Sequence, residues 1–148
     1  MACGSSCGRS NVHAQWLPVA WRQEMHKSAR EMAETFSGEG LSIREVDLGE
    51  MHVALENYTQ RLDAAPFLKG LPDDRCQCPH WGYVLRGEMR VRYADSEETV
   101  RAGDAYYLAP GHAVIMEAGT EVIEFSPKAP HEQTMAVVAR NVEAAQRS

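Results

Sequence analysis

Asp73-Asp74-Arg75-Cys76-Gln77-Cys78-Pro79-His80-Trp81-Gly82-Tyr83-Val84-Leu85-Arg86-Gly87-Glu88 carries two signals at once. Residues 76–86 read as a strand stopped by Gly87, and a second strand starts at Glu88. Within the first strand, Cys76, Cys78 and His80 stand at alternate positions. If this run is extended, all three side chains leave the same face, because a strand repeats every two residues. Thiolate and imidazole suit zinc or iron far better than calcium or magnesium. A fourth donor must come from elsewhere in the chain. His112 follows the turn Ala109-Pro110-Gly111, which can carry it across to the same place.

On the C-terminal side, short strands are predicted over 88–94, 99–102, 105–109, 113–117 and 120–126. Asp95-Ser96, Gly103, Pro110-Gly111 and Ala118-Gly119 break them. Close, regular spacing of this kind indicates a sandwich or barrel. On the N-terminal side, Leu41, Ile43, Met51, Val53 and Leu55 alternate with polar neighbours, as half-buried strands do. Residues 57–75 read as a connection. Farther upstream, Pro18 opens a stretch in which Trp21, Met25, Met32 and Phe36 recur at helical spacing, with Gly38 as a stop. The tail Glu132–Arg147, with Met135, Val138 and Val142, predicts a second helix. The expected plan is a leader over 1–17, an N-terminal helix over 18–40, a β-barrel over 41–128 and a C-terminal helix over 129–148.

The size and charge agree with one soluble domain. The chain has 148 residues, enough for one core, and its apolar and charged fractions of 44% and 24% are ordinary for a globular protein. A net charge of -6 with no basic stripe argues against a nucleic-acid partner. No run approaches the roughly 18 apolar residues of a membrane span. The start of the chain lacks the basic-then-apolar order of a secretory signal. The cysteines fall in two tight pairs, Cys3/Cys7 and Cys76/Cys78, not spread as in a secreted disulfide scaffold, so a cytoplasmic location is expected. Cys3 and Cys7 read as passengers in the leader. His13, His26, His52 and His131 are isolated in the sequence and read as surface or satisfied core residues.

Gly82-Tyr83-Val84-Leu85-x-Gly87-Glu88, followed by Ala102-Gly103-Asp104-x-x-Tyr107 and Pro110-Gly111-His112, resembles the two sequence motifs of the cupins. The resemblance runs from about residue 51 to 126. It implies an all-β double-stranded β-helix, a jelly-roll barrel, holding one metal inside through histidines and a glutamate. His80 takes the place of the family glutamate, and the two first-motif histidines fall near Asp74 and Cys76. The second-motif histidine is expected at Val114, and His112 lies two residues earlier on the same strand parity. Cupins commonly turn a bulky residue inward where this chain has Gly82, so a pocket beside His80 is expected, walled by Tyr83, Tyr106 and Tyr107.

The expected ligands are therefore Cys76, Cys78, His80 and His112 around a divalent metal, zinc favoured, with iron or manganese as alternatives. One class of function is a metal-dependent enzyme acting on a small organic molecule, with the tyrosines as proton donors or orienters and Asp74 and Asp104 as further acid/base candidates. The other is a non-catalytic module that binds or senses a small ligand, with a structural zinc or no metal. Coordination separates them, because closed four-ligand sites are structural and open three-ligand sites are catalytic. Symmetric pairing is the usual state of soluble oligomers, and a homodimer is expected.

Overall fold

Ten strands and one long helix make up the structure, a computed structural model that describes residues 26–147. The strands are β1 (Ala33–Gly38), β2 (Leu41–Leu48), β3 (Met51–Tyr58), β4 (Leu62–Asp63), β5 (His80–Arg86), β6 (Glu88–Arg92), β7 (Glu97–Arg101), β8 (Ala105–Leu108), β9 (Ala113–Met116) and β10 (Thr120–Pro127). The helix α1 spans Lys128–Gln146. Two antiparallel sheets face each other. One has the order β1-β2-β3-β10-β5-β8 and the other β4-β9-β6-β7. The β-body, its turns and the C-terminal helix stand where the sequence signals put them, within a few residues.

Alternation sorts each strand into an inner and an outer face. In β5, His80 and Val84 are buried, whereas Trp81, Tyr83 and Leu85 are exposed. Val84, Val122, Met89, Val91, Leu108 and Met116 fill the space between the sheets, with Tyr58 and Tyr106 at its edge. Thr120 is fully buried among them, and its hydroxyl donates to the carbonyl of Glu88 at 2.7 Å, so a polar side chain ties the two sheets without an unsatisfied atom. Among the described residues no helix is long and apolar enough to cross a membrane.

The N-terminal helix needs correction. Residues 33–38 form a strand paired with β2, with Phe36 opposite Ile43, and residues 26–32 form no helix. Gly38-Glu39-Gly40 is a hairpin turn, in which Gly40 adopts a left-handed φ of 85°, and not a helix stop. Met32 is buried while Phe36 is 43% exposed, so the spacing that suggested one helix face does not describe one face at all. The expected leader over 1–17 and the rest of the expected helix, including Trp21 and Met25, lie outside the described residues, as do Cys3, Cys7 and His13.

Helix α1 starts directly after β10, whose last residue, Pro127, is the helix N-cap. It packs on the turn Ala65–Leu68, where Asn141 Nδ2 donates to the carbonyls of Phe67 and Lys69 at 2.7 and 2.8 Å. This seats the helix across one end of the space between the sheets.

Candidate metal centre

Cys76, His80 and His112 converge inside the barrel, each offering one donor atom within 4.8 Å of the others, and all three are buried. The backbone explains the convergence. Cys76 forms an isolated antiparallel bridge with His112: its N–H donates to the His112 carbonyl at 2.8 Å and its carbonyl accepts from Gly111 at 2.7 Å. His80 begins β5, and its ring meets that of His112 edge-on at 5.2 Å between centroids.

A hydrogen bond sets the tautomer of His112, and two polar neighbours orient the ring of His80. His112 Nδ1 lies 2.7 Å from the carbonyl of Ala109; a carbonyl only accepts, so Nδ1 carries the proton and Nε2 presents a lone pair. His80 Nδ1 lies 2.7 Å from Ser126 Oγ and 3.0 Å from Glu124 Oε1, which leaves its Nε2 as the free atom. That Nε2 stands 3.4 Å from Cys76 Sγ. Two ligands at zinc–sulfur and zinc–nitrogen bond lengths in a tetrahedron stand about 3.6 Å apart, so the pair already has the required spacing. The donor set fits a zinc-class ion, and the partners of the two Nδ1 atoms are the outer support such histidines ordinarily have.

Burial lowers both histidines to about 4, so their lone pairs are available at neutral pH. Burial also raises the Cys76 thiol, which therefore keeps its proton until a metal displaces it. The pH dependence follows directly. Below the thiol pKa, metal binding releases one proton from Cys76 and none from the histidines, so affinity climbs about tenfold per pH unit between pH 6.5 and 8. Competition titrations across that range check it: a slope near zero removes Cys76 from the ligand set.

Cys78 does not join the group. The chain bends at Cys78 and Pro79 instead of running extended, so alternation from His80 does not reach back to it. Its Sγ sits 3.5 Å from the Pro79 carbonyl, in a small buried cluster with Leu68, Cys76 and Ala113, and burial pushes its thiol up to about 12. Tyr83 and Tyr107 stand on the outer face at 42% and 53% exposure, away from the cavity. Gly82 does not open a pocket either, because the ring of Tyr106 fills the space over it and sends its hydroxyl to Glu124 Oε2 at 3.0 Å. Asp74 is exposed and accepts from Gly70 N at 2.8 Å, while Asp104 accepts from Arg101 N at 2.8 Å in a surface turn. Neither is placed for acid/base work at the centre.

On the open side of the three donors lies a cavity of about 150 Å³, walled by β3, β10 and α1. Two carboxyls face it. Glu124 supports His80, and Glu56 accepts a short hydrogen bond from Tyr58. Burial holds both well above the usual carboxylate range, and the charge of Glu124 raises Glu56 further.

No protein-family model matches the sequence, and no curated protein is similar to it. Solved structures are similar in fold. An RmlC-like cupin from Shewanella frigidimarina is 19% identical, with a TM-score of 0.51, covering 71% of this chain and 92% of that one. A structural-genomics protein of unknown function from Rhizobium leguminosarum is 18% identical, with a TM-score of 0.50, over 70% of this chain and 97% of that one. AerE from Microcystis aeruginosa is 13% identical, with a TM-score of 0.51, over 65% of this chain and 45% of that one. The chain has the cupin fold.

Two features of this cupin barrel escaped the sequence reading. Glu56 and Glu124 meet from β3 and β10, and no local spacing announces them. Their only signal is parity, since Glu124 and Ser126 alternate inward with Val122. The second is a cluster of Glu45, His52 and His131, where the two rings stack 3.9 Å apart at 17°. His52 Nδ1 lies 3.1 Å from Asp47 and Nε2 3.2 Å from Glu45, the latter an ion pair without hydrogen-bond alignment. These carboxylates, Glu45 foremost, raise His52. Nearly parallel rings send their in-plane lone pairs side by side and not to a common point, so this cluster reads as a clamp between α1 and β2–β3 and a poor metal site.

Proposed function

We propose that this cupin is a metal-dependent enzyme acting on a small organic molecule, with Cys76 Sγ, His80 Nε2 and His112 Nε2 as the ligands. The observation that carries the reading is the separation of the site into two halves: three donors on one side and a cavity on the other. A fourth protein donor would close the tetrahedron and make the site structural, but Cys78 is not one of the donors that converge here. Zinc is favoured by the mixed thiolate and imidazole set. When bound, such an ion supplies Lewis acidity or an activated water.

The chain supplies the rest. Ala109 holds His112 in the tautomer described, and Ser126 with Glu124 orient His80. Glu56 and Glu124 can hold or pass a proton at their carboxyl oxygens, next to whatever occupies the cavity. The wall of α1 limits access of bulk water. The cavity matches one that takes a molecule the size of benzene.

Cobalt(II) loading tests the ligand set, because a cobalt–thiolate bond has a charge-transfer absorption of its own. One cobalt per chain and a thiolate band are expected. Cys76→Ser removes the band, and Cys78→Ser leaves it intact. A band that survives Cys76→Ser, or is lost in Cys78→Ser, overturns the assignment and restores the closed, structural site.

A further inference from the structure

We propose that the metal cavity selects a small neutral or cationic hydrogen-bond donor, such as an amide, an alcohol or an amine, and refuses carboxylates and phosphates. The proposal rests on the metal-enzyme reading and names its substrate class.

The wall of the cavity contains no lysine and no arginine. Its carboxyls belong to Glu56 and Glu124, and the hydroxyl of Tyr58 is already spent on Glu56. Tyr106 is likewise spent on Glu124. What these carboxyls lack is a donor from outside, and a ligand with N–H or O–H groups provides it. An anionic ligand meets the opposite situation. No lysine or arginine pairs with its charge, and whichever of the two buried carboxyls is ionised faces it across a small, poorly screened space, where repulsion is strong. The thiolate of Cys76 cancels half of the charge that a divalent ion brings, so the metal is a weak lure for anions here.

The approach repeats the pattern. His131 and Met135 of α1 separate the inner cavity from a groove lined by Glu45, Asp47 and Glu132. The basic groups nearby are already paired: Lys128 Nζ lies 2.9 Å from Asp47, and His52 stands between Asp47 and Glu45. A carboxylate therefore finds no unpaired positive charge in this groove either.

Acetamide, acetamidinium and acetate share one planar shape and differ in charge and donors, which makes them the probe. In water, cobalt(II) prefers acetate to acetamide, so a reversed order belongs to the protein. Titration of cobalt-loaded protein, followed by the cobalt absorption, is expected to show acetamide and acetamidinium binding at least tenfold tighter than acetate. In Glu56→Gln the gap between acetamidinium and acetate narrows at least threefold. Acetate binding as tightly as acetamide, binding by none of the three, or an unchanged gap in Glu56→Gln overturns the proposal. If cobalt is not taken up, the metal reading fails separately, and ligand-observed NMR with the metal-free protein and the same three probes decides the selection.

Discussion

His112→Ala is expected to lower zinc or cobalt affinity more than about 100-fold, and His80→Ala to do the same. Each change takes one of three ligands away, and outer-sphere partners alone are worth roughly 10- to 100-fold. The structure orders the lesser effects. Ser126→Ala removes one of two groups at His80 Nδ1 but leaves Glu124 at 3.0 Å, so a loss of about tenfold is expected. His52→Ala removes a clamp between α1 and β2–β3 and none of the three converging donors, so affinity stays within about threefold. Competition against a chromogenic chelator measures all four. If His52→Ala and His112→Ala weaken binding equally, the tripod is misassigned.

Gly82→Ala is expected to cost roughly 3–5 kcal/mol and to lower Tm by about 10 °C or more. A Cβ at position 82 would lie 2.3 Å from the Tyr106 ring and hydroxyl and 2.6 Å from the Ile123 carbonyl. The ring is buried and the carbonyl belongs to the central strand β10, so neither can step aside freely. Overpacking of this kind costs about 1–3 kcal/mol, and displacing Tyr106 also breaks its bond to Glu124, worth a further ~1.5–3 kcal/mol for a charged acceptor. Thermal melts of Gly82→Ala, Tyr106→Ala and the double variant separate the causes. Most of the cost of Gly82→Ala should vanish in the Tyr106→Ala background. An equal cost in both backgrounds would mean that the clash is with the backbone alone.

The β-body was legible because its turns are punctuated by residues that turn chemistry demands. Gly87, Gly103, Gly111 and Gly119 all adopt left-handed φ angles, and each connection from β5 to β10 contains one of them or the Asp95-Ser96 turn. His80 and His112 were found because a local motif carries them. Cys78 was misplaced by extending a period of two through a bend that Pro79 should have signalled. Tyr83 was misplaced against that same period, since 80, 82 and 84 point inward and 81 and 83 must then point out. Glu56, Glu124 and the stack of His52 on His131 depend on pairings between elements far apart in sequence, which no window along one chain reveals.

Pro127 ends the strand that holds Ser126 and caps the first turn of the helix that roofs the cavity. The roof and the bracket behind the His80 imidazole are thus joined through a single proline. A guest bulky enough to lift the helix is therefore expected to disturb the ring proposed to hold the ion, which sets tolerance for large guests against firmness of grip.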